Sequence, residues 1–522
     1  MANKDNFEKN TRTVWSITLL SRIAGLGRDA ALSRYFGAGA VSSAFFFAFL
    51  IPNLARRLFG EGALSAAFIP AYTKLSKEDP ARARALASLT IARLVVLLGV
   101  VVILGELLLW GLLVWSPSID GSYGLMMIML PYMPLVCVVA VLGGILQTHG
   151  RFGPTAGAPI ILNACMIAAT ILFAGVFTDV ETHMAMIGVA VIVAGLLQVA
   201  WSLHALRGID WRTRETECGK EDLQNMISKL IPTIVGLGAM QLNTFLDGLI
   251  ASYPVFVGAT IFGVAYPLGE GANASLNFAA RLYQFPLGVF GIAVGTAILP
   301  LLASQASKRE EFAQTLRRGL RLVVFMGLPA SAGLMLVRDL LSGVVYQGGL
   351  FTSGDTVEVG FILLGYATAI WAYSMMQVLT RAFYAVDDIR TPVKIAVRMV
   401  GLNLILNLIL IWTPLGTSGL AWSTAFCAVV QVAFLMRAIR KHVDQPANMD
   451  VVSSWIKTAL ATIVMSIAVA LSIKFCFVGD TFSWRESFGV LAICVGVGIF
   501  VFGICVHLLK MEERRWILGK RG

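Results

Sequence analysis

Charged residues are scarce in this chain: Asp, Glu, Lys and Arg make up 14% of its 522 residues, whereas 57% are hydrophobic. The mean hydropathy is +0.78. A soluble domain of this length carries a far more polar surface. Apolar runs of about 20 residues, long enough to cross a membrane as a helix, recur from end to end. The composition therefore excludes a soluble globular protein and predicts an all-α, polytopic membrane protein.

Signatures of catalysis are lacking as well. The five histidines are scattered, the seven cysteines show no CxxC spacing, and there is no HExxH, GxSxG or Walker motif. A membrane-embedded lipid-processing enzyme would need a catalytic acid or metal cluster, which the sequence does not show. The net charge of +11 comes from Lys and Arg in short connectors, so no nucleic-acid partner is expected. These absences favour a transporter without a nucleotide site of its own.

Fourteen apolar segments predict fourteen transmembrane helices, with approximate cores at 14–36, 41–73, 86–115, 122–147, 155–177, 184–206, 229–252, 277–305, 320–346, 357–384, 391–412, 416–437, 454–478 and 485–509. Every second connector lacks Lys and Arg: 37–42, 116–121, 178–183, 253–276, 347–356, 413–415 and 479–484. The other connectors and both termini are basic. By the positive-inside rule this alternation predicts cytoplasmic termini.

The chain also repeats itself at a displacement of about 230 residues. RRLFGEGALSAAFIPAY at 56–72 resembles LGVFGIAVGTAILPLL at 287–302, and THGRFGPTAGAP at 148–159 resembles TRAFYAVDDIRTP at 380–392. We therefore predict two parallel six-helix repeats, related by a pseudo-twofold axis along the membrane normal, plus two extra C-terminal helices. The corresponding domains are an N-terminal lobe at 1–215, a C-terminal lobe at 216–441 and a final segment at 442–522. Transporters of this kind bind substrate between their repeats.

Among the arginines of the predicted spans, four are the candidate site residues: Arg22, Arg28, Arg56 and Arg281. A charge at the bilayer centre costs about 2.5–3.5 kcal/mol on insertion scales, so these cations are expected to face a shared, water-filled cavity. Such a cavity calls for an anionic substrate, and the planar guanidinium fork suits phosphate. An alternative is a structural ion pair between Arg22 and Asp29, seven residues apart, which would leave Arg28 without a partner.

The second span contains Pro52, which is expected to kink the helix one turn before Arg56. Arg57 and Glu61 are four residues apart, so an intrahelical salt bridge is an open alternative for them. Arg56 has no such acid, which makes it the better site candidate. Arg281 has no neighbouring acid either, and we interpret it as a second phosphate contact from the other repeat.

A second polar set consists of Asp247, Asn403, Asn407, Ser423 and Thr424. Their oxygen atoms are suitable ligands for a cation. Hydrogen bonding between helices is the alternative interpretation of the same residues.

At these residues the chain resembles the MurJ (MviN) lipid II flippases of the MOP exporter superfamily. The resemblance rests on SRIAGLGRDAALSRYFGAG…AFFFAFLIPNLARRLFGEGALSAAFIPAY, ARLYQFPLGVFGIAVGTAILP and RAFYAVDDIRTPVKIA. It implies a bacterial inner-membrane protein that moves undecaprenyl-pyrophosphate-linked peptidoglycan precursor to the periplasmic leaflet by alternating access. It also implies a monomer in contact with membrane lipids and with cell-wall synthesis proteins.

The resemblance assigns roles to individual positions. It implies substrate binding by Arg22, Arg28, Arg56 and Arg281, with Asp29, Asn53 and Glu61 in the same motif. It implies a sodium site at Asp247, Asn403, Asn407 and Thr424, so Na⁺ is a candidate coupling ion. The last two spans would line a groove for the lipid tail.

Three features depart from the family pattern. Ser43 stands where many members have Asp, Ala280 replaces the usual Asp before Arg281, and the segment 253–276 is longer than usual, apolar and Gly-rich. The alternatives to a lipid II flippase are an exporter of drugs or of another polyprenyl-linked glycan in the same superfamily, and a scaffold without transport activity. A drug exporter should favour carboxylates in its cavity, whereas this one is predicted to be cationic.

Overall fold

The computed structural model describes residues 2–115, 120–476 and 484–517. These residues form helices almost throughout, with one two-stranded hairpin. In a bilayer every backbone N–H and C=O must be paired within the protein, and a helix achieves this within one segment. The chain divides into two compact units, Met1–Ala274 with Gly348–Phe351, and Ser275–Gln347 with Thr352–Gly522.

The described residues of unit 1 form nine α-helices, a π-helix, a 3₁₀ turn at Glu217–Gly219 and the hairpin. They are α1 Ala2–Phe36, α2 Ala40–Ala55, the π-helix π1 Arg56–Gly62, α3 Ala63–Glu78, α4 Pro80–Trp115, α5 Asp120–Met129, α6 Tyr132–Thr148, α7 Gly153–Phe173, α8 Val180–Ala205, α9 Lys220–Phe256, and strands β1 Thr260–Ile261 and β2 Val264–Ala265. Helix α1 packs along α7, and α7 along α8. Ile145, Leu146, Ile187 and Val191 are fully buried where α6 and α8 meet.

Unit 2 contains the remaining helices and a 3₁₀ turn at Ile439–Lys441. They are α10 Ala272–Pro286, whose first three residues belong to unit 1, the π-helix π2 Leu287–Ile292, α11 Ala293–Ser304, α12 Arg309–Leu336, α13 Arg338–Tyr346, α14 Ser353–Ala367, α15 Ile370–Ala385, α16 Arg390–Leu410, α17 Ser418–Ala438, α18 Met449–Cys476, α19 Trp484–Leu508 and α20 Glu513–Ile517. Its main core joins α12, α15 and α17 through buried side chains such as Leu320, Val378 and Leu435. A second cluster joins α13, α18 and α19, so the last two long helices pack on each other.

The connector between α15 and α16 is fixed by Asp388. Its carboxylate accepts hydrogen bonds from the backbone N–H of Thr391 at 3.1 Å and from the Thr391 hydroxyl at 2.8 Å. His442 Nε2 lies 3.3 Å from Asp388 Oδ2. Burial alone would raise the pKa of Asp388, but the hydrogen bonds from Thr391 and His442 outweigh it and lower the pKa below its usual value.

Each of the fourteen predicted spans coincides with a helix or with consecutive helices. Among the described residues, ten helical segments are long and apolar enough to cross a membrane, or eleven if the bent pair α14–α15 counts as one span. The chain is therefore a multi-pass, nearly all-α membrane protein. The number of fourteen crossings remains a prediction.

The two stretches that resemble each other in sequence fold in the same way. Each begins at or just after the end of an α-helix that contains a proline, passes through a π-helix and continues as a second α-helix with an internal proline. The matched Phe59-Gly60 and Phe290-Gly291 both lie in the π-helical segment. π-Helical turns are rare, so their occurrence at matched positions supports the repeat, whose full architecture remains a prediction.

The predicted lobe boundaries at 215 and 441 also remain a prediction. Compactness divides the chain elsewhere, after Ala274. The reason is that α9 packs against α2, α3 and π1, all of which belong to unit 1. The sequence repeat thus assigns α9 to the C-terminal lobe, whereas packing assigns it to unit 1.

Candidate substrate-binding arginines

Arg28 is buried in unit 1 and held on two sides. Its Nε and Nη2 donate to Asp29 Oδ1 at 2.8 and 2.5 Å, and its Nη1 donates to Asn163 Oδ1 at 3.2 Å. The exposed fractions are 6% for Arg28 and 2% for Asp29. Asn163 is itself anchored, because its Nδ2 donates to the Ser21 carbonyl across the α1–α7 contact at 3.3 Å. The guanidinium is therefore pre-positioned by neighbouring groups.

This arrangement rules out the alternative of an Arg22–Asp29 pair. The ion pair of Asp29 is formed with Arg28, not with Arg22, and Arg28 has a second partner, Asn163 on α7. Neighbours in a helix do not normally face each other, but the long arginine side chain curls back to the adjacent carboxylate. Arg22 lies on the exposed side of α1. Sequence reasoning missed Asn163, although a lone amide in an otherwise apolar span was a signal for it.

Arg56 begins the π-helix that follows α2. Its Nε and Nη2 donate to Asn53 Oδ1 at 3.0 and 2.8 Å, so Arg56 has an amide partner that the sequence analysis did not predict. Asn53 lies one turn earlier on α2, beside Pro52. The amide orients the guanidinium, but this contact does not neutralise its charge. Asn53 thereby acquires a specific role as the residue that positions Arg56.

Arg57 points elsewhere. Its Nη1 donates to Gln241 Oε1 on α9 at 3.3 Å. The side chain of Glu61 lies outside the described residues, so the Arg57–Glu61 salt bridge stays an open alternative. Arg56 and Arg57, adjacent in sequence, thus have different environments within the same unit.

Arg281 lies on α10 in unit 2 and is half-buried. It interacts with its surroundings, so the expectation of an unpaired arginine is wrong. Two residues further along the helix, the Tyr283 ring stacks on Tyr366 at 4.6 Å and lies 5.6 Å from Tyr373, between ring centroids. These aromatic contacts fix the orientation of this part of α10.

Ser43, one of the departures from the family pattern, has a structural role in unit 1. Its buried hydroxyl accepts a hydrogen bond from the backbone N–H of Ala274 at 3.1 Å, and its carbonyl accepts one from Asn273 Nδ2 at 3.0 Å. Ser43 therefore serves the first turn of α10 as a cap supplied by another helix, α2. A hydroxyl at this position replaces the carboxylate as a hydrogen-bond acceptor without adding charge.

The predicted cation ligands of unit 2 form a hydrogen-bond network. Asn407 Nδ2 donates to Asn403 Oδ1 at 2.9 Å, and the Ser423 hydroxyl donates to Asn407 Oδ1. Asn403 Nδ2 donates to Ser423 Oγ at 3.2 Å and to Thr424 Oγ1 at 3.3 Å. The network joins α16 to α17, as the alternative interpretation expects. The amide oxygens that a cation would need accept hydrogen bonds from these neighbours.

Asp247 lies on α9 in unit 1, half-buried. Its Oδ2 accepts from Asn243 Nδ2, one turn earlier, at 3.3 Å. In the described part of the chain no group of three or more His, Cys, Asp or Glu side chains is placed to hold a metal ion. The carboxylate and the Asn–Ser–Thr network thus belong to different compact units, and the cation site remains a prediction.

The chain is similar to proteins of one family along most of its length. The family model described as lipid II flippase MurJ matches residues 32–485. The probable lipid II flippase MurJ of Vibrio cholerae is 30% identical over 521 residues, which cover 96% of this chain and 95% of the relative. The lipid II flippase MurJ of Burkholderia cenocepacia is 28% identical over 492 residues, which cover 90% of each chain.

Solved structures show the same fold. A structure described as lipid II flippase MurJ in an inward closed conformation matches with a TM-score of 0.77 and 23% identity, over 96% of this chain and 99% of the other. An inward-facing multidrug-resistance MATE transporter of the MOP superfamily matches with a TM-score of 0.66 and 14% identity, over 82% and 98%. Because the family model matches residues 32–485 and the Vibrio cholerae relative is 30% identical over 96% of this chain, the chain belongs to the lipid II flippase MurJ family.

Proposed function

We propose that this protein is a flippase that moves lipid II, the polyprenyl-pyrophosphate-linked precursor of peptidoglycan, from the cytoplasmic to the periplasmic leaflet of the bacterial inner membrane. It is a transporter of the MOP superfamily and not an enzyme. Family membership carries the assignment of the cargo. The alternative cargoes, drugs or another polyprenyl-linked glycan, are not favoured because the family match extends over residues 32–485.

The positioned arginines support a pyrophosphate headgroup as the group recognised. Asp29 and Asn163 hold the guanidinium of Arg28, and the amide of Asn53 orients that of Arg56. An arginine fork gives bidentate hydrogen bonds to phosphate oxygens, and the low dielectric of a membrane protein strengthens them. In this proposal Arg56 is the phosphate contact to be tested first, Arg22 and Arg28 contribute within unit 1, and Arg281 is a further phosphate contact in unit 2.

The last two long helices suit the polyprenyl tail. Among the outward-facing side chains of α18 are Ile456, Leu460, Ile463 and Ile467, and α19 exposes Ile499 and Phe500. The two helices pack together through a buried cluster on their other faces. A continuous apolar surface of this kind allows a lipid tail to stay in the bilayer while the headgroup crosses.

The test compares adjacent arginines in cells that depend on this protein. Arg56→Gln is expected to lower the amount of lipid II accessible to an externally added lipid II-cleaving toxin, and to raise the internal precursor pool. Arg57→Gln is the matched control, because it removes the same charge from the next residue, which binds Gln241. Equal transport by both variants and the wild type, at equal membrane levels, would refute the assignment of Arg56.

The orientation proposed from the basic connectors is testable with a natural cysteine. Cys218 is exposed in the connector that leads into α9, which is proposed to be cytoplasmic. A membrane-impermeant maleimide should label Cys218 in inverted vesicles but not in intact spheroplasts. The reverse pattern would place the termini in the periplasm. Cys218→Ser serves as the control for labelling at other cysteines.

Na⁺ coupling, the monomeric state and contacts with cell-wall synthesis proteins stay parts of the proposal that await their own tests. To bind Na⁺, the amide oxygens of Asn403 and Asn407 would have to exchange their present hydrogen bonds for coordination of the ion. Transport that is unchanged when Na⁺ is replaced by K⁺ would remove the coupling role and leave these residues as an interhelical hydrogen-bond network.

A further inference from the structure

The segment between α9 and α10 forms a β-hairpin with an aromatic residue at its tip. Strands β1 and β2 pair in antiparallel register, Thr260 with Ala265 and Ile261 with Val264. The two residues that join them, Phe262 and Gly263, have φ of +48° and +81°. Two positive φ angles in a two-residue loop are the pattern of a type I′ turn, where Asn-Gly is favoured at the tip. A bulky aromatic at the first of these positions is unfavourable for the turn itself.

Phe262 makes no packing contribution that offsets this cost, because its side chain is 100% exposed. Val264 and Val257 are also more than half exposed. No Asp, Glu, Lys, Arg or His lies between Asp247 and Glu270. The tip is therefore an uncharged, apolar projection, whose exposed ring would be costly to leave in water.

Tyrosines attach the hairpin to the end of α9. The rings of Tyr253 and Tyr266 stack with centroids 4.4 Å apart. The Tyr253 hydroxyl donates to the Thr260 carbonyl at 3.1 Å, and the Tyr266 hydroxyl donates to the Ile250 carbonyl at 2.9 Å. Ile250 precedes the end of α9 by six residues, or about 9 Å along the helix axis. The base of the hairpin thus lies beside the last turns of α9 and does not extend straight out from it.

We propose that this hairpin is an anchor at the membrane interface, and that Phe262 inserts at the boundary between headgroups and acyl chains of the leaflet next to it. Three observations favour lipid, and not a protein partner, as the binding surface for the tip. The segment has no charge with which to recognise a partner, its base is folded back along α9, which is predicted from the sequence to cross the membrane, and stacked tyrosines at that base are the residues typical of the interface. The segment also leads directly into α10, which begins a helix apolar enough to cross a membrane. The anchor would hold the outer end of α9 at a fixed depth.

Photocrosslinking in the full-length protein tests this inference. Phe262 is replaced by p-benzoyl-phenylalanine, which keeps an aromatic side chain, and the protein is irradiated in lipid nanodiscs and, separately, in cells. Phe500, an exposed residue of α19, is the positive control position, and Glu215, exposed in a polar connector, is the negative one. We expect a phospholipid adduct by intact mass at position 262, with a yield close to that at 500 and about tenfold above that at 215.

Two other outcomes overturn the inference. A protein adduct at 262 in cells, without a lipid adduct, would identify the tip as a docking site for a protein. A yield as low as that at 215 would show that the tip lies in water. The inference depends on the chain being a membrane protein and not on its cargo, so neither outcome bears on lipid II transport.

A second set of variants isolates the aromatic ring. With the photoreactive residue moved to Val264, Phe262→Asn should retain the turn, since Asn suits this backbone conformation, while removing the ring. Phe262→Asp adds a charge in the same conformation. We expect the lipid-adduct yield at 264 to fall several-fold in the Asn variant and about tenfold in the Asp variant. An unchanged yield in monodisperse, folded protein would show that Phe262 does not anchor the hairpin.

Discussion

The buried pair Arg28–Asp29 gives the sharpest prediction, because one contact has both a structural and a functional interpretation. Arg28→Met keeps the volume of the side chain but leaves the Asp29 carboxylate, 2% exposed, without the cation that binds it at 2.5 Å. Removing one partner of a buried ion pair costs about 3–5 kcal/mol, much of it for the charge left behind. Asn163 Oδ1 also loses the donor that lies 3.2 Å away.

The double variant Arg28→Met/Asp29→Leu separates the two interpretations. It removes both charges, so the remaining cost falls on their other hydrogen-bond partners, among them the Asn163 oxygen, at about 1–3 kcal/mol for a buried group left unsatisfied. We therefore expect the double variant to be about 2 kcal/mol more stable than Arg28→Met alone. Unfolding by SDS in detergent micelles, followed by far-UV circular dichroism, measures these free energies.

Transport then decides the function of Arg28. The amount of lipid II exposed to an external lipid II-cleaving toxin is measured for the double variant at matched membrane levels. If Arg28 binds the pyrophosphate, the stabilised double variant still fails to expose lipid II. If the double variant transports normally, Arg28 has only a structural role. A single variant Arg28→Met as stable as the wild type would refute the physical argument from the buried pair.

Three further predictions concern other contacts. Asn53→Ala should lower transport about tenfold through the misplaced Arg56 guanidinium while changing stability by only about 1 kcal/mol, so a parallel loss of both would contradict a positioning role. Ser43→Ala should destabilise the protein by about 1–3 kcal/mol in SDS unfolding, because the buried N–H of Ala274 loses its acceptor. The pKa of Asp388 is lower in the folded than in the unfolded state, so its stabilisation is present above about pH 4 and is lost as the pH falls through the folded-state pKa. Asp388→Asn should abolish that part of the acid dependence of unfolding, and an identical pH profile would show that the hydrogen bonds of Asp388 do not stabilise the folded protein.

The helical membrane class, the positions of the helices and the family motif were predictable from sequence. Apolar runs and alternating basic connectors reflect the free energy of moving each segment into a bilayer. Because this free energy depends on the local sequence, it can be predicted without knowing the tertiary structure. The contact between Asn53 and Arg56 was also within reach, since residues three apart share a helix face. The contact was not predicted because only acidic residues were considered as partners of Arg56, although an amide oxygen orients a guanidinium equally well.

Tertiary structure alone decided three contacts: those of Arg28 with Asn163, of Ser43 with Ala274, and of Asn407 with Ser423. Asn163 reaches Arg28 from a helix more than a hundred residues away, and Ser43 caps a helix that begins more than two hundred residues later. Local spacing allowed an Arg22–Asp29 pair as an alternative, because seven residues bring two side chains to one face. The actual pair is Arg28–Asp29, which packing against α7 buries, and burial makes hydrogen-bond completion the dominant requirement. The sequence thus determined which segments enter the membrane, whereas the packing of helices determined which polar groups meet there, since an intramembrane polar group takes its partner from whatever helix lies beside it.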